Sequence, residues 1–258
     1  MTWPFVKGAQ ETTGSGTSAS VSLASAIASG DVAVGLAFLN GVQSNTISSI
    51  TDDKSNPYTV VAGSLATTAS NWSTILFWSG AALTNGPITL TANSSTSLTS
   101  LWLTYDVFTP PAGALSVDVS SGASGSTTAN GSSSLTTTVN GDLVYGGIFV
   151  TGVGTLAGGS GFTVTENNGS SFAAEFQNQS TAGTISVTFP TPGGADTWTV
   201  SAAAFKAAAG GAPYNPWPQL GPVTAQKRKS IGWLPFHDHR RRILRPKRVL
   251  ILPNRKAA

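Results

Sequence analysis

Apolar and polar residues alternate with a period of two over most of the chain between residues 17 and 207, in short stretches rich in Val, Ile, Thr, Phe and Tyr. Clusters of Gly, Asn, Ser and Pro break these stretches at short intervals. Successive side chains of a strand point to opposite faces, so this period puts one face on a core and the other in water. No stretch carries the apolar stripe of a helix. The pattern predicts strands over Asp31–Leu39, Tyr58–Ala62, Ser73–Trp78, Ile88–Ala92 and Leu98–Phe108. A second set follows over Leu135–Thr138, Asp142–Val150, Gly161–Glu166, Phe172–Gln177, Thr184–Phe189 and Thr197–Lys206. Strands so spaced, with turns between, imply an all-β sandwich or barrel.

The two sets resemble each other. Ser29-Gly30-Asp31-Val32-Ala33-Val34-Gly35-Leu36-Ala37-Phe38 reads like Asn140-Gly141-Asp142-Leu143-Val144-Tyr145-Gly146-Gly147-Ile148-Phe149. Each follows a Ser/Thr-rich strand, Ser18–Leu23 or Ser132–Thr138. Later, Gly86-Pro87-Ile88-Thr89-Leu90-Thr91 matches Gly183-Thr184-Ile185-Ser186-Val187-Thr188, and the last strands end alike at Val107-Phe108 and Ala204-Phe205. The offset falls from 111 to 97 along the way, as one deletion of about fourteen residues near the turn Asp52–Asn56 would produce. The expected body is therefore a β-sandwich of two duplicated halves, about 14–110 and 121–207, behind an N-terminal extension at 1–13. Each half either closes as its own immunoglobulin-like sandwich, or the two interleave in one jelly-roll-like sandwich. The short junction Pro110-Pro111-Ala112-Gly113, running into the alternation Leu115-Val117-Val119, favours one continuous sandwich.

Charge changes the picture at residue 208. Before it stand three basic residues, Lys7, Lys54 and Lys206, against ten acids; after it come eleven basic residues and one acid, Asp238. The net +3 thus divides into about −7 on the body and +10 on residues 208–258. This arm starts with a flexible Ala/Gly hinge and continues as a Pro-rich, extended segment, Pro213–Pro222. Its cations, Lys227, Arg228, Lys229, Arg240, Arg241, Arg242, Arg245, Lys247 and Arg248, alternate with Trp217, Trp233, Leu234 and Phe236. The apolar stretch Val249-Leu250-Ile251-Leu252 follows. A purely electrostatic tail would not need those apolar side chains, and the arm has no core of its own. The expectation is a docking segment that orders on an acidic protein surface, with Val249–Leu252 able to add to a sheet edge. Nucleic acid is the rival ligand for the arginines.

Chemistry is sparse in the body. It has no histidine and no cysteine, so a Ser-His-Asp or thiolate mechanism cannot be assembled before residue 237. Asp31 and Asp142 read as turn aspartates. Glu166 and Glu175 flank the turn Asn167-Asn168-Gly169-Ser170 and are the one pair with a glycosidase-like arrangement; a commonplace hairpin is the better reading. Asp52-Asp53-Lys54-Ser55-Asn56 lacks a recognised calcium-loop spacing and reads as a solvated turn. His237 and His239 have no further ligands nearby, so no metal and no cofactor is expected. Trp72, Trp78, Trp102 and Trp198 are expected mostly in the core, with Trp72 the candidate glycan contact. No signal peptide and no membrane span are read in the sequence.

The Gly-Asp-Val and Gly-Asp-Leu strands, the segment Ser49-Ile50-Thr51-Asp52-Asp53-Lys54-Ser55-Asn56-Pro57-Tyr58-Thr59-Val60 and the closing Ala202-Ala203-Ala204-Phe205-Lys206-Ala207-Ala208 give the body a resemblance. It resembles a loose group of Gly/Ser/Thr-rich β-sandwich proteins among the structural genes of tailed phages and in bacterial surface proteins. The resemblance covers about residues 14–207 and carries no functional residue. It implies a virion or surface sandwich, such as a head-decoration, minor-capsid or fibre-associated protein, and says nothing about the arm. With the sparse chemistry of the body and no signal peptide read, the expectation is a non-enzymatic virion protein made in the host cytoplasm. Its arm would bind a capsid or other virion protein, and homo-oligomeric contacts are expected. A glycan-binding or adhesin module is the alternative, and an arginine-rich nucleic-acid-binding structural protein the second alternative.

Overall fold

A computed structural model describes residues 2–111, 115–126, 131–151, 156–169, 171–190 and 197–207. The arm at 208–258, with every docking residue named above, and the pair His237 and His239 lie outside the described residues. The strands are β1 (Phe5–Ile27), β2 (Val32–Asn40), β3 (Ile47–Asp52), β4 (Tyr58–Val60), β5 (Ala66–Thr67), β6 (Trp72–Ser79) and β7 (Gly86–Phe108). They continue as β8 (Leu115–Gly125), β9 (Gly131–Thr136), β10 (Asp142–Thr151), β11 (Thr163–Asn167), β12 (Phe172–Gln179), β13 (Thr184–Phe189) and β14 (Thr197–Ala207). The described residues contain no helix, and hence none able to cross a membrane. Every ladder among the described residues is antiparallel.

The first sheet runs β1-β7-β2-β6-β4, with β3 also on β7 and β5 on β6. The second runs β8-β14-β10-β12-β11, and β9 pairs with β13 apart from it. The two central strands, β2 and β10, are buried on both faces, which is why their sequences are nearly unbroken apolar runs rather than alternations. Ladders among the described residues join strands of one half only, so the halves do not interleave.

Three apolar clusters separate four layers. In the first, Val21, Leu23, Ile88 and Leu90 pack on Ala37, Leu39, Phe77 and Tyr105, so that the distal parts of β1 and β7 fold over their own sheet. The register of β1 on β7 slips around Gly14, Gly16 and Ser18, where the two long strands pass from one layer to the next. In the third, Leu135, Val187 and Phe189 pack on Val144, Ile148, Ala173 and Val200. The middle cluster lies between the halves: Val34, Leu36, Phe38, Leu76 and Phe108 meet Tyr145, Phe149, Phe172, Phe176 and Phe205. Phe38 and Phe149 occupy equivalent places on β2 and β10, and their rings stack at 3.5 Å and 10°. Equivalent residues meeting each other are what a local twofold relation produces.

Several strand limits differ from the sequence reading. The segment taken as an N-terminal extension belongs to the body: β1 begins at Phe5, and Trp3 is fully buried in the middle cluster. Trp3 donates from its indole to Gly141 O at 2.9 Å and from its backbone N–H to Asn178 Oδ1 at 2.7 Å. Ile88–Ala92 and Leu98–Phe108 are one strand, because the Asn93–Ser97 polar run stays extended while the ladder with β1 shifts from Ser18 opposite Asn93 to Gly16 opposite Leu98. β3, which pairs Ile47–Asp52 with β7, went unpredicted since its alternation is mostly Ser and Thr.

Candidate functional site

Acids placed inside the fold form its most unusual chemistry. On β7 the side chains of Trp102, Asp106 and Phe108 face the other half, whereas Leu103, Tyr105 and Val107 face their own. Asp106 is thus carried by strand alternation into the apolar space between the halves, where it is fully buried. Tyr145 Oη on β10 donates to Asp106 Oδ2 at 2.8 Å, and Thr165 Oγ1 on β11 donates to the same oxygen at 2.5 Å. Oδ1 has no donor, and it lies with Glu166 against Gly8, where a Cβ would stand 2.3 Å from Oδ1 and 3.2 Å from Glu166 Oε1. Burial pushes Asp106 up to about 7, against the two hydrogen bonds and with the help of Glu166; burial alone raises Glu166 to about 7. Near neutral pH the pair shares protons rather than two full charges.

A second group closes the second half. Asp118 on β8 has a 1% exposed side chain, and Lys206 on β14 donates from Nζ to its Oδ1 at 2.9 Å. Thr138 adds donors to both oxygens, its N–H to Oδ2 at 2.6 Å and its hydroxyl to Oδ1. Asp118 is partly desolvated, but these donors and the ammonium outweigh that and hold it down at about 2. Asp142, at the start of β10, is fully buried, and no donor reaches either of its carboxyl oxygens. Burial first, and then the neighbouring Asp118, push it up to about 7. An acid beside a carboxylate is stable when the acid keeps its proton and gives it to that carboxylate.

Asp31, the equivalent of Asp142 in the first half, is the turn aspartate expected. Its Oδ2 accepts from Ala28 N–H at 3.1 Å and its Oδ1 from Thr109 Oγ1 at 2.7 Å. Only Asp142 departs from that role. Glu166 and Glu175 sit on neighbouring strands, yet the sheet separates their carboxyl groups. Glu166 reaches Gly8 and Asp106 between the halves, while Glu175 points to the opposite face beside Gly158 and Gly159. There Glu175 is buried, accepts from Gly159 N–H at 2.7 Å, and is pushed up to about 7 by burial, which its backbone donors only partly offset. The two do not flank a common cleft.

The turn after β3 satisfies itself. Asp52 accepts from Lys54 N–H and Asn56 N–H at 2.9 Å each, from Asn56 Nδ2 at 2.6 Å and from Tyr58 Oη at 2.9 Å. Those donors take the oxygens that a cation would need, and no group of three acids or histidines assembles among the described residues. Trp72 is half-buried, edge-on to Phe149 at 5.8 Å, so most of its ring belongs to the middle core. A cleft that Trp72 does not line is bounded by Thr67, Thr68, Ala69, Ser70, Ser124, Gly125, Ser126 and Thr197, uncharged throughout.

Sequence reasoning passed over Asp106, Asp118, Tyr145 and Lys206. The signal for Asp106 was in view: an acid inside the apolar strand Leu98–Phe108, on the face shared with Trp102. Asp118 gave no such signal, because it falls at a polar position of the alternation Leu115-Val117-Val119. No protein-family model, no curated protein and no solved structure matches this chain.

Proposed function

We propose that the chain is a non-enzymatic structural protein of a virion, of capsid-decoration or minor-capsid type. Its duplicated β-sandwich is displayed, and its basic C-terminal arm docks on a neighbouring shell subunit. The observation that carries this reading is the division of charge, about −7 before residue 208 and +10 after it, together with the apolar anchors set among the arm's cations. The body suits display. Its outer faces bear paired hydroxyls, Ser20 with Thr91, Ser22 with Thr89, Ser132 with Thr188 and Ser134 with Ser186, at 2.8–3.0 Å. Such faces stay wet with little charge.

The body's acids, in contrast, are mostly turned inward. Among those whose side chains are described only Asp53 is exposed. Asp106, Asp142, Glu166 and Glu175, raised to about 7, also bring the body's charge near neutral pH from its formal value to about −5. The partner this reading gives the arm is an acidic surface of a capsid or other virion protein. Many copies on a symmetric shell still imply homo-oligomeric contacts. The localisation that follows is the virion.

The test is particle assembly with a chain ending at Ala207. Loss of incorporation with an unchanged body melt supports anchoring by the arm; normal incorporation sinks it. Binding of naked nucleic acid that falls steeply with salt and is lost in the chain ending at Ala207 would move the arm to the nucleic-acid reading. One observation favours glycan binding as a second reading, the uncharged cleft lined by the hydroxyls of Thr67, Thr68, Ser70, Ser124, Ser126 and Thr197. Glycan-array binding lost on Ser124→Val and Thr197→Val, with the melt unchanged, would favour it.

A further inference from the structure

An ammonium, a carboxylate and a buried carboxylic acid meet where the second half begins and ends. Lys206 Nζ stands 2.9 Å from Asp118 Oδ1, in a pair 88 residues apart in sequence. Asp118 is almost wholly buried, and the donors of Thr138 hold its two oxygens, fixing the carboxyl plane and drawing electrons from its carbon. Asp142, fully buried, lies beside it, its carboxyl group facing that of Asp118 with no other donor on its oxygens. Fixed contact between two reacting groups removes most of the entropy of bringing them together. Water is kept from the two carboxyl groups, while the Lys206 side chain reaches them from a half-exposed position. We propose that Lys206 and Asp118 join spontaneously in an intramolecular amide bond, with Asp142 as the acid–base group that moves the protons.

The step balances within the chain. Asp142 gives its proton to an oxygen of Asp118, making the carbon an electrophile and that oxygen a leaving group. Nζ loses a proton, attacks Cγ, and forms the C–N bond. Donors of Thr138 stabilise the oxyanion of the tetrahedral intermediate. The Cγ–O bond then breaks. Its oxygen departs as water with the two hydrogens that Nζ has lost, and Asp142 ends protonated as it began. Nothing is oxidised or reduced, and no co-reactant is needed.

The first half supplies the comparison. There the aspartate equivalent to Asp142, Asp31, spends its oxygens on Ala28 and Thr109, and Thr109 stands where the second half has Lys206. The other described ion pair, Lys54 with Asp53, joins sequence neighbours at 3.5 Å; its aspartate is 46% exposed against 1% for Asp118, and the adjacent Asp52 spends its oxygens on Lys54, Asn56 and Tyr58. Only one place in the described body therefore has all three groups. A bond there ties β8 to β14 two residues before the arm. Tension pulled through the arm would then pass from Lys206 straight to Asp118, and the strands between would carry none of it. The proposal does not depend on the virion reading.

The experiment is an intact-mass measurement on the purified full-length chain, held folded at neutral pH, followed by peptide mapping. The expected result is a mass one water below that of the sequence, with the loss in a branched peptide joining Asp118 to Lys206. Lys206→Arg should restore the full mass. Asp142→Asn should do the same while circular dichroism stays that of a folded β protein. A folded wild-type chain at its full sequence mass overturns the proposal whatever the variants do. So does a lost water that maps to a cyclic imide at another aspartate. A branched peptide that persists in folded Asp142→Asn overturns the role given to Asp142.

Discussion

At the scale of residues, the buried acids set how stability follows pH. Glu175 has an ordinary value of 4.5 and is raised to about 7 in the fold. Between those values the folded chain holds a proton that the unfolded chain has released. Stability is therefore full at the acid end of this window, falls as pH rises to about 7, and is level above it. The shift corresponds to on the order of 3 kcal/mol for this one group. Asp106 and Glu166 act in the same direction, as a coupled pair. Thermal melts should show the midpoint dropping from about pH 5 to pH 7, and Glu175→Gln should flatten part of that slope. A midpoint that climbs across the same window would contradict the assignment. None of this was legible in the sequence, where Glu175 and Glu166 look like two acids around one turn. Which face of the sheet each occupies depends on the irregularity between Val164 and Glu166 in the β11–β12 ladder, which alternation alone does not reveal.

At the scale of elements, close approach of backbone to side chain holds the layers at their spacing. A Cβ on Gly35 would meet Phe77 at 2.1 Å, and one on the equivalent Gly146 would meet Val187 at 2.3 Å, so the same glycine admits a bulky side chain in each half. Gly147 does this between the halves: its Cβ would stand 2.2 Å from Leu36 Cδ2. Gly147→Ala should cost about 1–3 kcal/mol in denaturant unfolding, as overpacking of a tight core does. In a double-mutant cycle with Leu36→Val the cost should shrink; strict additivity would mean that Leu36 is not the obstacle. The strands themselves were readable. Their faces are set by period two, and β2 and β10 appear in sequence as paired Gly-Asp runs. The continuity of β7 and the existence of β3 were not readable, since Ser/Thr-rich segments fit a turn or a strand equally well until a neighbour supplies the ladder.

At the scale of the whole molecule, the two halves keep separate ladders and share one apolar face. Residues 1–111 alone would expose Val34, Leu36, Phe38, Leu76 and Phe108, together with Trp3, all of which the second half covers. Cut off there, the fragment should self-associate, read as a concentration-dependent mass in light scattering and as dye binding absent from the intact chain. A strictly monomeric, dye-negative fragment would show that the face closes on itself. Sequence by itself determined the strand class, the repeated rhythm and the division of charge at residue 208. Each of these is written in local spacing or in composition, and neither needs a distant partner to be read. Tertiary structure decided the rest: that the halves stack without interleaving, that Trp3 is core, and that Asp106 meets Tyr145 and Asp142 meets Asp118. Those pairings join residues far apart in the chain, and the burial that gives them their chemistry exists only once the layers have closed around them.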